Sequence, residues 1–330
     1  MPQGSTKTHA IRIEKTGGPE QMKWTEIDLP APGKGEVQLK HLAIGLNYID
    51  TYHRTGLYPV PLPTGLGLEA SAVVEAVGEG VTSLKPGDRV AYGTGPIGAY
   101  SERRNAPAEK LIKIPDAIDD KTAAAMMLKG LTTQYLIRQT YRVKAGDTIL
   151  LHAAAGGVGL ILGQWAKHLG ATVIGTVGSD EKAELAKAHG CAHTIVYTRE
   201  DFVKRVDEIT GGKKVPVVYD SVGKDTFLKS LDCLAPLGVA ALFGQSSGGV
   251  DPLNLGLLAQ KGSLYVTRPT LNTYAAKREN LVAMANELFE VVKSGAVKIE
   301  VHQTYPLKDA AKAHADLAAR KTTGSTVLTV

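Results

Sequence analysis

Several function classes need residues this chain has in short supply. Cysteine occurs twice in 330 residues, at Cys191 and Cys233, far apart and not in Cys-x-x-Cys spacing. A disulfide framework or a paired-thiol metal motif is thereby excluded, and two reduced thiols are expected. No apolar run reaches the ~18–20 residues that span a bilayer. The stretch MPQGSTKTHAIRIEK carries no apolar signal core, so a cytoplasmic location is expected. Aromatic residues make up only 5% of the chain, and its net charge of +5 is spread without long basic blocks. No basic stripe with interleaved aromatics marks a nucleic-acid surface.

What is present is a folded composition, 43% hydrophobic and 22% charged. The length predicts roughly two domains of ~150 residues. Residues 1–125 read as β-rich, with EVQLKHLAIGL, ASAVVEAVG, DRVAYG and KLIKIP between turns such as PAPGKGE and GEGVTSLKPGD. From about residue 122 the period changes. The helix candidates TAAAMMLKGLTTQYLIRQTY, GVGLILGQWAKHLG, DEKAELAKAHG, REDFVKRVDEITGG and TFLKSLDCLA alternate with six β-rich runs: DTILLHA, ATVIGTVG, HTIVY, VPVVYD, GVAALFG and SLYVTR. This alternation predicts a doubly wound parallel α/β sheet. The tail from about residue 271 has two helices and the strands KIEVHQTYPL and STVLTV, which can rejoin the first domain.

The stretch HAAAGGVG, residues 152–159, lies between the strand DTILL and the helix GVGLILGQWAKHLG. That is the setting of a dinucleotide-binding loop, although Ala154 stands where the first glycine is usual. Alanine is tolerated there if φ is negative. Gly156 would admit the pyrophosphate, Gly159 would let the helix pack closely, and N–H groups at the helix start would bind phosphate. NAD sites carry an acid at the tip of the second strand. Here the tip is Thr176-Val177-Gly178, followed by Ser179 and Lys182, with Tyr197 and Arg199 ending the next strand. A hydroxyl and a cation without a carboxylate suit a 2′-phosphate, so NADPH is expected over NADH. Asp180 and Glu181 would sit in the first helical turn, where the dipole favours acids. Lys182 read alone also suits a solvated position on a helix face.

These segments together resemble the quinone oxidoreductase and ζ-crystallin group of the medium-chain dehydrogenase/reductase superfamily. The resemblance is carried by GDTILLHAAAGGVGLILGQWAK, AIGLNYIDTYHRTGLYP, GLGLEASAVVEAVGEGV, VVYDSVGKDTF, FGQSSG and NLGLLAQKGSLYVTRP, and covers essentially the whole chain. It implies a Rossmann domain, residues 128–269, inserted in a GroES-like β-rich catalytic domain of residues 1–127 plus 270–330. The active site would lie in the cleft between them, and the chain would form a homodimer. Zinc-dependent relatives carry a cysteine where this chain has Asn47, and Gly-His-Glu where it has Gly67-Leu68-Glu69. Asn47 and Leu68 offer zinc neither thiolate nor imidazole, so a metal-free enzyme is expected. Without a Lewis acid, an acceptor that is already electron-poor fits best, such as a quinone.

The resemblance also implies site residues. Asn47 would lie near the nicotinamide and the reacting oxygen. Tyr52, Tyr58 and Arg268 would line the quinone pocket, with Arg268 stabilising oxyanion charge. Read from the residues alone, Tyr52 suits a core position, Tyr58 a packed turn and Arg268 an ion pair. The implied cofactor set is Asn47, Gln134, Gly156, Gly157, Val158, Gly178, Ser179, Lys182, Tyr197, Ser221, Phe243, Gly244, Gln245, Val266 and Arg320. No residue stands out as a general acid. Two alternatives remain at this stage. One is an NADPH-dependent reductase of α,β-unsaturated carbonyls; the other is a non-catalytic, crystallin-like role with RNA binding.

Overall fold

A computed structural model of the chain describes residues 5–330. One unit contains the N-terminal part up to Leu131 together with Ala275–Phe289 and Ile299–Val330. Its strands are β1 (Thr6–Ile13), β2 (Lys23–Leu29), β3 (Glu36–Leu46), β4 (Thr64–Gly65), β5 (Glu69–Val77), β6 (Arg89–Tyr92), β7 (Arg103–Pro107) and β8 (Ile112–Lys113). The segment KLIKIP yields only the two residues of β8, because Ala108–Lys110 just before it form a 3-10 turn. Alternation along the first part of β3 buries Val37 and Leu39 completely, and beyond a register shift at His41/Ala43 the strand is buried continuously, Ile44 included. These side chains join Ile11, Ile13, Leu66, Val90, Tyr100 and Leu328 in one core.

The sequence reading of this region contained no helix, yet α1 (Tyr48–Thr55) follows β3 directly. Its ends explain it. Asn47 and Asp50 form a capping box, and Gly56 closes the helix with φ 82 and an N–H to the His53 carbonyl. The helix is too short for its periodicity to stand out among the flanking strands.

The second unit, Thr132–Tyr274 and Glu290–Lys298, holds six further strands. They are β9 (Thr148–Leu151), β10 (Thr172–Val177), β11 (Cys191–Val196), β12 (Val215–Asp220), β13 (Leu234–Leu242) and β14 (Tyr265–Thr267). All pair in parallel, in the order β11-β10-β9-β12-β13-β14. This is the doubly wound Rossmann arrangement, whose strand order reverses beside β9. Helix α2 (Asp120–Tyr135) precedes the sheet, and the predicted helix continues after it as a π turn over Leu136–Thr140. Between strands lie α3 (Gly157–His168), α4 (Asp180–Ala188), α5 (Phe202–Thr210) and the short α6 (Phe227–Ser230), α7 (Gly256–Gln260) and α8 (Leu271–Tyr274). Asp201 starts α5 by accepting the Val203 N–H at 2.9 Å. Leu150, Ile174, Ile195, Val218 and Phe202 form the core beside the sheet.

The tail supplies α9 (Arg278–Lys293), β15 (Val301–Pro306), α10 (Ala310–Ala318) and β16 (Ser325–Thr329). β16 pairs antiparallel with β3, so the end of the described chain returns to the N-terminal sheet. The fold is thus a Rossmann unit inserted into a GroES-like β-rich one.

Candidate active site

The carboxyl ends of all six parallel strands carry residues expected in the cofactor or substrate site. β9 runs into the loop at 152–156. Ala154 avoids the left-handed region; the turn is made one residue earlier, by Ala153 at φ 54. A Cβ on Gly159 would lie 2.4 Å from the Ala153 carbonyl oxygen and 2.6 Å from that of Ala154. Only glycine lets α3 begin this close to the loop. Gly156 is the N-cap of α3, so no side chain caps the helix start. The backbone N–H groups and the positive dipole end at Gly157 and Val158 can therefore serve an anion. Buried His152 bonds Thr176 Oγ1 and Ser230 Oγ, both at 2.9 Å, and so ties the loop to β10 and α6. Burial holds its pKa below the ordinary histidine value.

β10 ends at Val177, and Gly178 and Ser179 follow. Ser179 is the N-cap of α4, its Oγ accepting the Lys182 N–H at 3.3 Å. Asp180 and Glu181 lie in the first turn of α4, as expected. Arg199 grips Asp180 with two bonds of 2.5 and 2.8 Å, which offsets that negative charge. Half-buried Lys182 leaves the same turn, and exposed Tyr197 follows β11. Tyr197 Oη lies 3.0 Å from where a Gly178 Cβ would stand. At the next two strand ends, a Cβ on Gly244 would meet the Ser221 carbonyl oxygen at 2.7 Å, and the Phe243 N–H donates to the Asp220 carbonyl at 2.8 Å. Gln245 follows. Val266 lies within β14 and exposed Arg268 just beyond it. Gln134 is buried on α2 and accepts from Gln139 Nε2 at 2.8 Å. An uncapped helix start, a hydroxyl and a lysine beside an acid-free strand tip are a donor set that can hold a dinucleotide carrying a 2′-phosphate.

The remaining expected residues, Asn47, Tyr52, Tyr58 and Arg320, belong to the other unit. Tyr52 is buried in an aromatic cluster, 5.6 Å from the ring of Tyr48 and 5.1 Å from that of Tyr58. Arg320 follows α10 in left-handed backbone, φ 58. Asn47 is buried, and its Nδ2 donates to Glu69 Oε2 at 2.7 Å. Lys129 Nζ donates to the same oxygen at 2.9 Å, and the Leu128 N–H to Glu69 Oε1 at 2.8 Å. Sequence reasoning quoted Glu69 only as the last letter of the Gly-Leu-Glu run and did not single out Lys129. An acid and a base 60 residues apart give no spacing signal.

The metal-free expectation passed over one run, His189-Gly-Cys191-Ala-His193, which spaces three potential ligands closely. The structure puts His189 to other use, bonding the Leu185 carbonyl at 2.8 Å. Cys191 is buried and its thiol is pushed up to about 12 by burial, while His193 is exposed. Among the described residues no group of three or more His, Cys, Asp or Glu side chains is placed to hold a metal ion.

Comparison with known proteins places this geometry in a family. Residues 33–116 match the alcohol dehydrogenase GroES-like domain, and residues 157–286 match a family described as zinc-binding dehydrogenase. A quinone oxidoreductase of Pseudomonas aeruginosa is 59% identical over 319 residues, covering 96% of this chain and 98% of that protein. The chain belongs to the quinone oxidoreductase family. Within it, the crystal structure of Escherichia coli quinone oxidoreductase complexed with NADPH superposes with a TM-score of 0.96 at 52% identity, covering 98% of this chain and all of that one. A 2-haloacrylate reductase of a Burkholderia species is 51% identical over 97% of this chain and 98% of its own length.

Proposed function

We propose that this member of the family is an NADPH-dependent quinone oxidoreductase that works without a metal ion. The observation that carries the reading is the acid-free tip of β10, where Ser179 and Lys182 stand with Asp180 drawn into an ion pair by Arg199. The family and the NADPH complex of the Escherichia coli relative support it. NADPH bound there supplies a hydride. Gly156, Gly157 and Val158 hold the pyrophosphate through backbone N–H groups. Ser179, Lys182 and Tyr197 hold the 2′-phosphate, with Gly178 leaving room for the ribose. Gln134, Ser221, Phe243, Gly244, Gln245 and Val266, on a domain of residues 128–269, belong to the same cofactor set, as do Asn47 and Arg320 of a domain of residues 1–127 plus 270–330.

Tyr52 and Tyr58 flank the quinone ring, and Arg268 offsets charge on the reduced oxygen. The reduced quinone spreads its charge over an aromatic ring, so orientation and electrostatics suffice where an alcohol would need a Lewis acid. Water supplies the final proton.

The 2-haloacrylate reductase relative favours a second acceptor class, electron-poor alkenes conjugated to a carbonyl or carboxylate. The test is NADPH oxidation by chelator-dialysed protein against a panel of quinones and haloacrylates. Faster turnover with quinones supports the first reading, and turnover with haloacrylates alone supports the second. Activity that disappears with stoichiometric zinc during dialysis overturns the metal-free claim.

A homodimer in the cytoplasm belongs to the same reading. Supporting it, β14 ends the sheet order with Tyr265 61% and Val266 38% exposed. Apolar side chains on an open sheet edge favour pairing with a second copy. Light scattering that returns the monomer mass at micromolar concentration would remove the dimer.

A further inference from the structure

We infer that Glu69 and Lys129 are positioning residues that fix which end of the Asn47 amide faces the site. The inference rests on the reading that Asn47 contacts the cofactor or substrate. Its geometry lies wholly within one unit. Asn47 is held at three points: its backbone N–H donates to Asp50 Oδ2 at 2.9 Å, its side-chain oxygen faces the Asp50 N–H in the capping box, and its Nδ2 donates to Glu69 Oε2 at 2.7 Å. A carboxylate only accepts, so the amide atom facing Glu69 must be the NH2 group. One lone pair of the carbonyl oxygen, beside the one turned to the Asp50 N–H, and at most one N–H then remain for a ligand; the second contact of Nδ2, to the Gly45 carbonyl, is long at 3.5 Å.

Glu69 is itself immobilised. It is fully buried and receives Asn47 and Lys129 on one oxygen and the Leu128 N–H on the other. Gly45 presses on the first of these oxygens; a Cβ there would lie 2.1 Å from Oε2 and 2.3 Å from the Ala124 carbonyl oxygen. The carboxylate has no room to turn away. Lys129 is 5% exposed and supplies the charge that keeps a buried carboxylate affordable. A buried ion pair that replaces hydrophobic packing adds little stability by itself, but it can specify one arrangement of a polar group.

Three donors converge on two carboxylate oxygens. Leucine at position 69 fills the space without an acceptor, so the Asn47 amide loses the partner that holds its NH2 end there. A double-mutant cycle reads this directly. Hydride transfer from saturating NADPH to a quinone is followed by stopped flow for wild type, Asn47→Ala, Glu69→Leu and the pair, with a melting curve on each sample. Asn47→Ala and Glu69→Leu should each slow the step on the order of tenfold or more, and the pair no more than about twofold beyond the slower single variant. Glu69→Leu/Lys129→Leu removes the buried ammonium together with its carboxylate, so it should regain melting temperature while hydride transfer stays slow.

Independent losses that multiply would overturn the inference, as would an unchanged rate in Glu69→Leu. So would a rate that recovers together with stability in the Glu69/Lys129 pair, because that marks a merely structural role. If Asn47→Ala alone leaves the rate unchanged, the reading of Asn47 as a site residue fails instead, and the inference falls with it.

Discussion

In the proposed reading Lys182 and Ser179 carry the choice of cofactor, and Ser179 also has a structural task that the sequence does not show. The Ser179 hydroxyl caps α4, while Glu181 is held below the usual carboxylate range chiefly by a hydrogen bond from Ser179. A 2′-phosphate would compete for that hydroxyl and add its charge beside Lys182. Lys182→Ala should therefore weaken NADPH by about 1–3 kcal/mol, the loss of one charge-assisted contact, and leave NADH affinity nearly unchanged. Fluorescence titration with both cofactors checks this, and equal losses would mean that Lys182 acts through folding. Arg320 gives a test of opposite signs. A non-glycine residue in left-handed backbone costs about 1 kcal/mol, and glycine is the usual occupant just past a helix end. Arg320→Gly should melt no lower than wild type, and up to about 1 kcal/mol more stable, while binding NADPH more weakly. Lower stability with unchanged affinity would show that the guanidinium is structural.

At the scale of elements, a buried chain of hydrogen bonds ties α1 to α10. Arg54 can only donate, so its Nη1, 3.1 Å from His314 Nδ1, makes that nitrogen an acceptor. His314 Nε2 must then carry the proton and donate to Tyr100 Oη at 3.0 Å, and Tyr100 donates to Asp50 Oδ2 at 2.8 Å. Burial keeps His314 neutral, its pKa lowered to about 3. Asp50 is fully buried, and among the described residues its Oδ1 has no hydrogen-bond partner. Burial pushes its carboxyl up to about 7, against the pull of Tyr100 and Lys129. Between the ordinary carboxylate range and pH 7 the folded chain keeps a proton that the unfolded chain has lost. Stability from this group therefore falls as pH rises through that window and is flat above it, a penalty of a few kcal/mol. Buried His41 and His314, both near 3, act in the opposite sense below their ordinary value. The comparison must therefore be made against wild type at each pH. Asp50→Asn should melt close to wild type at pH 5 and several degrees higher at pH 8. A gap that does not grow with pH would mean that Asp50 does not titrate there. None of this chain was legible in the sequence, because its members lie up to 260 residues apart and meet only through packing.

On the scale of the molecule, the sequence reading recovered the six parallel strands because each is a short buried run closed by glycine or a turn, and helices alternate with them. It also recovered the return of the tail, through STVLTV pairing with β3. It read β-structure around α1 because two strands flank an eight-residue helix whose only strong signal is its capping box. The strand tip, loop and helix start proposed to hold the cofactor were legible for a local reason: they are contiguous in the chain. The surroundings of Asn47 were not, since Glu69 and Lys129 reach it from β5 and α2. The account as a whole stands on hydride transfer from NADPH to a quinone. Its most direct measurement is steady-state oxidation of NADPH and of NADH, at equal concentrations, with one naphthoquinone as acceptor and chelator present throughout. The account predicts quinone-dependent consumption of NADPH, at least tenfold faster in kcat/KM than that of NADH. No quinone-dependent oxidation of NADPH, or a preference for NADH, would contradict it.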